Sequence, residues 1–278
     1  MISPWDFLAD LHNPALAFLP KALIISVLSA ALCAVVGTHM VLRGMAFAGD
    51  AIAHAVFPGL AIAFVLGGSL VLGGLIGGFS VALLVALFAH KSALKEDSLI
   101  GVFFAAAFAI GLVVLSRTQA YAGSLEGFLS GSITGVSTEQ LWVAALATLV
   151  IMALLAAIHR ELAFASLDRE LARAAGVPVV VLDVLLYAAV AVSVVVAVHT
   201  VGNILVLALL ITPASTARLL CRRLLPMMLC AMFLGVAASI LGIYAAWSLD
   251  IPAGASIVLC STVMFLLVWL LQPLLKDR

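Results

Sequence analysis

GDAIAHAVFPG, Gly49 to Gly59, sets an acid and an imidazole four residues apart at the head of an apolar run. On a helix Asp50 and His54 share one face, with their Cβ atoms about 6 Å apart. Pro58 follows one turn later, and a proline inside a helix leaves a backbone carbonyl without its amide partner. The surroundings give this pattern its weight. The chain has 278 residues, 66% of them hydrophobic and only 9% charged, and its mean hydropathy is +1.33, far from the balance of a water-soluble domain. Such a chain is built for lipid. There an ionisable side chain costs about 2.5 to 3.5 kcal/mol on insertion scales and usually faces a path or a partner.

A helical crossing of the hydrocarbon layer needs roughly 20 mainly apolar residues. Nine runs approach or meet that length: Ala22 to Leu42, Ala51 to Leu66, Leu70 to Ala89, Leu99 to Leu115, Leu141 to Ile158, Val179 to Val198, Ile204 to Leu220, Leu225 to Trp247 and Ala255 to Leu271. The expected fold is therefore all-α, a polytopic membrane bundle in which eight or nine segments cross. Basic residues in short loops mark the cytoplasmic side. They gather in HKSALKED (90–97), HRELAFASLDRELARAAG (159–176), ARLLCRRL (217–224) and the terminal KDR, so these gaps and the C-terminus are expected inside. Which side the N-terminus occupies depends on whether the Asp50 segment crosses fully. Trp5, Phe7, Leu8 and Leu11, interleaved with Asp6, Asp10 and His12, suit an interfacial helix in either case.

The first residues carry no basic leader and two acids, so they do not read as a cleaved signal. No repeat or long linker divides the chain, and a single membrane domain over 1–278 is expected. Thirteen basic against thirteen acidic residues leave no net charge, which gives no reason to invoke a nucleic-acid partner. Cys33, Cys221, Cys230 and Cys260 sit in or beside apolar runs without ligand spacing and read as small core residues. Gly67, Gly68, Gly73, Gly74, Gly77 and Gly78 would let membrane helices approach closely.

Asp50 and His54 together can hold one divalent cation. A carboxylate oxygen with an imidazole nitrogen suits zinc, manganese or iron, whereas calcium or magnesium prefers oxygen alone. The competing reading is an acid capping helix amides beside a buried, hydrogen-bonded histidine. Two donors make an incomplete shell, which suits a conduit that must release what it binds. Water, a carbonyl, His39 or His199 could complete it, and Glu126 could deliver the ion from the outer gap. His39 and His199 read first as lone interfacial histidines, and only then as ligands.

ASLDRELARAAGVPV, Ala165 to Val179, has a helix start at Asp168 and a stop at Gly176 and Pro178. Leu167, Leu171 and Ala174 or Ala175 mark one face, with Asp168, Arg169, Glu170 and Arg173 supplying charge. Between membrane runs on the cytoplasmic side, this is either a helix that docks a soluble partner or a solvated loop. VGNILVLALLITPASTARLL, Val201 to Leu220, is interrupted by Thr212, Pro213, Ser215 and Thr216, which kink a span while hydroxyls satisfy its backbone. No nucleotide loop, GxSxG, HExxH or dinucleotide fingerprint is present. An intramembrane protease would need such a ligand set, a proton-coupled carrier would need no ATPase, and any ATP would be hydrolysed on another chain.

These three blocks resemble, in order and over nearly the full chain, the membrane permease of the ABC importers for zinc, manganese and iron, the ABC-3 family. MVLRGMAFAGDAIAHAVFPGLAIAFVLG, Met40 to Gly67, is similar to its most distinctive block, VGNILVLALLITPASTARLL to the second, and LDRELARAAGV to its coupling segment. Gly44 stands where the block carries a second basic residue. The resemblance implies a type II importer-like homodimer in the cytoplasmic membrane, itself not an enzyme, holding no permanent cofactor. It also implies two cytoplasmic ATP-binding subunits, an extracytoplasmic metal-binding protein, and a transported Mn2+ or Zn2+ ion. Asp50 and His54 would then handle the metal. Leu167, Asp168, Glu170, Ala174 and Gly176, within a coupling segment of about 159–178, would seat the ATPase. A permease for a larger chelate, of siderophore or cobalamin type, is the alternative.

Overall fold

The computed structural model describes residues 3–91, 96–116, 137–201 and 206–276, with the backbone alone at 46–53, 57, 70–71, 89–91, 96–97, 100, 104, 115, 199–201 and 273–276. Its helices are α1 (Pro4–Asp10), α2 (Phe18–Leu42), α3 (Ala46–Val65), α4 (Leu70–Lys91), α5 (Glu96–Leu115), α6 (Thr138–Ala157), α7 (His159–Leu167), α8 (Arg169–Ala174), α9 (Val179–Val201), α10 (Val206–Leu220), α11 (Leu224–Leu249) and α12 (Ala253–Lys276), with a 3-10 turn at Pro14–Leu16. Among the described residues there is no strand. Each of the nine apolar runs became one helix. Among the described residues, five of these carry a stretch long and apolar enough to cross a membrane, in α2, α6, α9, α11 and α12, while the described apolar stretches of α3, α4, α5 and α10 run 10 to 17 residues. Leu72, Ile76, Leu146, Leu149, Phe233 and Trp269 stand exposed, as they should on a surface whose solvent is hydrocarbon.

Two compact units share these helices, and the division between them falls inside α2, α6 and α9. The first holds α1, most of α2, the start of α6 and α10 to α12. Lipid tails are as apolar as leucine, so helices in a bilayer associate through close packing and hydrogen bonds. Small residues do this here. A Cβ on Gly37 would strike the carbonyl of Leu210, one on Gly235 would lie 3.1 Å from the carbonyl of Ala30, and Ser239 Oγ donates to the Ser26 carbonyl at 3.2 Å. The N-terminal helix is capped by Ser3, whose hydroxyl accepts from the Asp6 amide while the Asp6 carboxylate accepts from the Ser3 amide, each at 3.2 Å. Phe7 packs edge-on to Tyr244 at 5.4 Å, and Trp247 Nε1 donates to Asp10 Oδ2 at 2.8 Å. The amphipathic opening is thus a real helix, with Phe7 buried and Trp5 exposed.

The second unit holds α3 to α5, the end of α6, α7, α8 and most of α9. Here α3, α4 and α5 pack on one another. A Cβ on Gly59 would fall on the carbonyl of Gly73, and one on Gly77 would lie 2.9 Å from Gly59 Cα. Gly78 meets Ala191 of α9 in the same way. Gly67 and Gly68 differ from the expectation: they form the turn after α3, and nothing crowds Gly67.

Candidate metal path and docking segment

Asp50 and His54 both lie on α3, one turn apart on a continuous helix. The side chain of Asp50 lies outside the described part of the structure. Pro58 sits inside the same helix and has no N–H to offer the carbonyl of His54. The half-buried imidazole of His54 meets the Phe108 ring of α5 edge-on, centroids 5.9 Å apart. Beside it, α3, α4 and α5 enclose a groove of about 540 Å3 lined by residues such as Ala55, Pro58, Ile62, Ile76 and Phe103. Its walls are apolar and offer no ion a set of donors. Among the described residues, no group of three or more His, Cys, Asp or Glu is placed to hold a metal.

The supplementary ligand candidates separate. His39 is fully buried near the end of α2, and its ring meets His159, the first residue of α7, edge-on at 6.4 Å. The side chain of His199 and the whole of Glu126 lie outside the described residues. Among the described residues no disulfide joins the cysteines, and Cys33 is buried.

The 159–178 stretch is two helices, α7 and α8, that pack on each other. Asp168 ends the first and caps the second, its carboxylate accepting the Leu171 amide at 2.9 Å. Gly176, at φ +83°, takes the left-handed turn that a side chain would resist. This lets the Val177 amide reach back to the Ala172 carbonyl at 3.0 Å. The start and stop read from the sequence are therefore where the chain turns. Leu167 and Leu171 are 87% and 56% exposed, while Ala172 is the buried residue of α8. Glu170 pairs with Arg173 at 3.0 Å on the open face, with Ala174 the last residue of the helix.

One cluster was not anticipated. Asp183, one turn into α9, is 7% exposed; Arg43, in the turn after α2, donates Nη1 to its Oδ1 at 2.6 Å from a side chain only 5% exposed. Arg169, which opens α8, donates Nη2 to Oδ2 at 2.5 Å. Arg43 Nε also donates to Ser166 of α7 at 3.0 Å. The signal was a lone acid in VVVLDVLLY, a buried charge that lipid or core tolerates only when paired.

Among the described residues, nine apolar helices with an exposed aliphatic surface and a charged, capped segment between two of them define a polytopic α-helical membrane bundle. The chain belongs to the ABC 3 transport family, whose pattern it matches over residues 15–272. It is 40% identical over 259 residues to the manganese transport system membrane protein MntC of Halalkalibacterium halodurans, covering 92% of this chain and 88% of that one. It is 33% identical over 268 residues to the manganese import system permease protein ScaB of Streptococcus gordonii, covering 96% and 95%. Its fold matches the solved structure of PsaBC from Streptococcus pneumoniae in complex with Fab, with a TM-score of 0.86 at 32% identity over 96% of this chain and 95% of that chain.

Proposed function

We propose that this chain is the permease subunit of an ATP-driven importer that moves a divalent transition metal, with manganese first and zinc or iron behind it, across the cytoplasmic membrane. The observation that carries the reading is α3: an oxygen donor and a nitrogen donor one turn apart on an apolar helix that is interrupted by proline just beyond them. The relatives' names favour manganese over a chelate. The chain acts as a homodimer, so two copies of α3 supply two carboxylates and two imidazoles to one path, enough to replace much of an ion's hydration shell. An extracytoplasmic protein delivers the ion. Two cytoplasmic ATP-binding subunits seat on the exposed Leu167–Leu171 face and drive alternating access, and no ATP chemistry falls to this chain.

The apolar groove beside α3 is the one feature that would suit a larger chelate. Reconstitution with the ATPase and the binding protein in proteoliposomes decides between the cargoes. The expected result is ATP-dependent uptake of free manganese, with Asp50→Asn and His54→Ala each cutting it more than about tenfold, since loss of even an outer-shell partner of a metal ligand costs about that much, while the complex still assembles. Normal uptake by either variant, or uptake only of the chelated metal, overturns the assignment.

A further inference from the structure

Asp183 joins the docking helix to the turn that leads into α3. Its two oxygens are divided between Arg169 on α8 at 2.5 Å and Arg43 at 2.6 Å. The Arg43 guanidinium extends the junction to Ser166, which in turn donates to the Leu162 carbonyl of α7 at 2.6 Å. One turn further along α9, Tyr187 Oη contacts Met45 Sδ at 3.9 Å, and Met45 is the residue at the start of α3. The intervening turn is tight: Gly44 takes φ +69° and the Met45 amide bonds the Met40 carbonyl at 3.0 Å. All of these residues lie within one compact unit.

We infer that the Arg43–Asp183–Arg169 cluster is the relay by which movement of α8 repositions the start of α3, and that Arg169 and Asp183 are positioning residues for transport. The inference rests on the permease reading above. Three physical features support it. A buried carboxylate cannot lose its partners without a large desolvation cost, so its bonds are either made or broken and do not slacken gradually. Both ends of α8 are closed, by Asp168 and by the turn at Gly176, so the helix moves as a unit. Arg169 lies at the rim, its side chain 34% exposed, between the exposed leucines and the buried acid. It is the arginine that a displacement of α8 would withdraw, while Arg43 stays and keeps Asp183 paired.

The test uses the complete complex in proteoliposomes, with manganese as the probe, recording manganese imported and ATP hydrolysed together. Arg169→Ala is the decisive variant because Asp183 retains Arg43 and the fold keeps a paired acid. It should assemble and hydrolyse ATP, with manganese imported per ATP falling at least about fivefold, the lower end of measured site-to-site couplings. Arg169→Lys, which keeps one charged donor, should restore most of that ratio. An unchanged ratio in Arg169→Ala sinks the relay. So does a proportional fall in uptake and hydrolysis, or a lysine variant no better than alanine. Loss of the ATPase from the Arg169→Ala complex would make Arg169 a docking contact instead. Absence of ATP-dependent manganese uptake in the wild-type complex would overturn the permease reading, and the relay with it.

Discussion

Gly59 shows how narrow the tolerances are. A methyl there would fall on the Gly73 backbone, whereas one on Gly101 would meet nothing within 4 Å. Gly59→Ala should cost about 1 to 3 kcal/mol, as overpacking does. Gly101→Ala, at an exposed position of α5, should be neutral or stabilising by up to about 1 kcal/mol. Thermal unfolding of the detergent-solubilised protein reads both, and equal melting temperatures for the two variants would refute the close packing of α3 on α4. The same contrast explains what could be read from the sequence. Asp50 and His54 stand one turn apart in the chain, so their common helix face follows from spacing. Asp183 finds its partners 140 and 14 residues away, and no local period reveals such a pairing. The lone acid in its apolar run was the visible clue, but not the identity of its partners.

Helix α8 owes its boundaries to two residues, Asp168 and Gly176, whose chemistry is local and therefore legible. Leu171 of α8 and Leu167 at the end of α7 are mostly exposed, so they can be changed without touching the core. Leu171→Asp should leave the melting temperature within about 0.5 kcal/mol equivalent of wild type, as surface substitutions do. It should also weaken co-purification of the ATPase at least about tenfold, the loss expected at a central apolar contact. Undiminished co-purification would remove α8 from the docking surface. The apolar helices are the converse case. Each span was placed by length, because lipid requires a minimum run of apolar residues, yet α2, α9 and α11 have no single apolar face, their few polar residues such as His39 and Asp183 aside. Their sequences therefore say little about which face meets protein, and the glycine and serine contacts that settle this depend on residues far apart in the chain.

The division of the helices into two units was likewise not legible, since it falls inside continuous apolar spans where composition does not change. Family membership was legible because three short blocks, each marked by polar residues in an apolar chain, stand in the order in which the resembled family carries them. Together these features fit the proposed membrane permease, whose proposed cargo site is a pair of donors on one helix, doubled in the proposed homodimer. The most direct test is pulsed electron paramagnetic resonance of manganese bound to the reconstituted complex. Imidazole nitrogen coupling should be present in the wild type and vanish in His54→Ala, while Asp50→Asn should weaken binding of the ion. A fully hydrated manganese signal in the wild type, or nitrogen coupling that survives His54→Ala, would contradict the account.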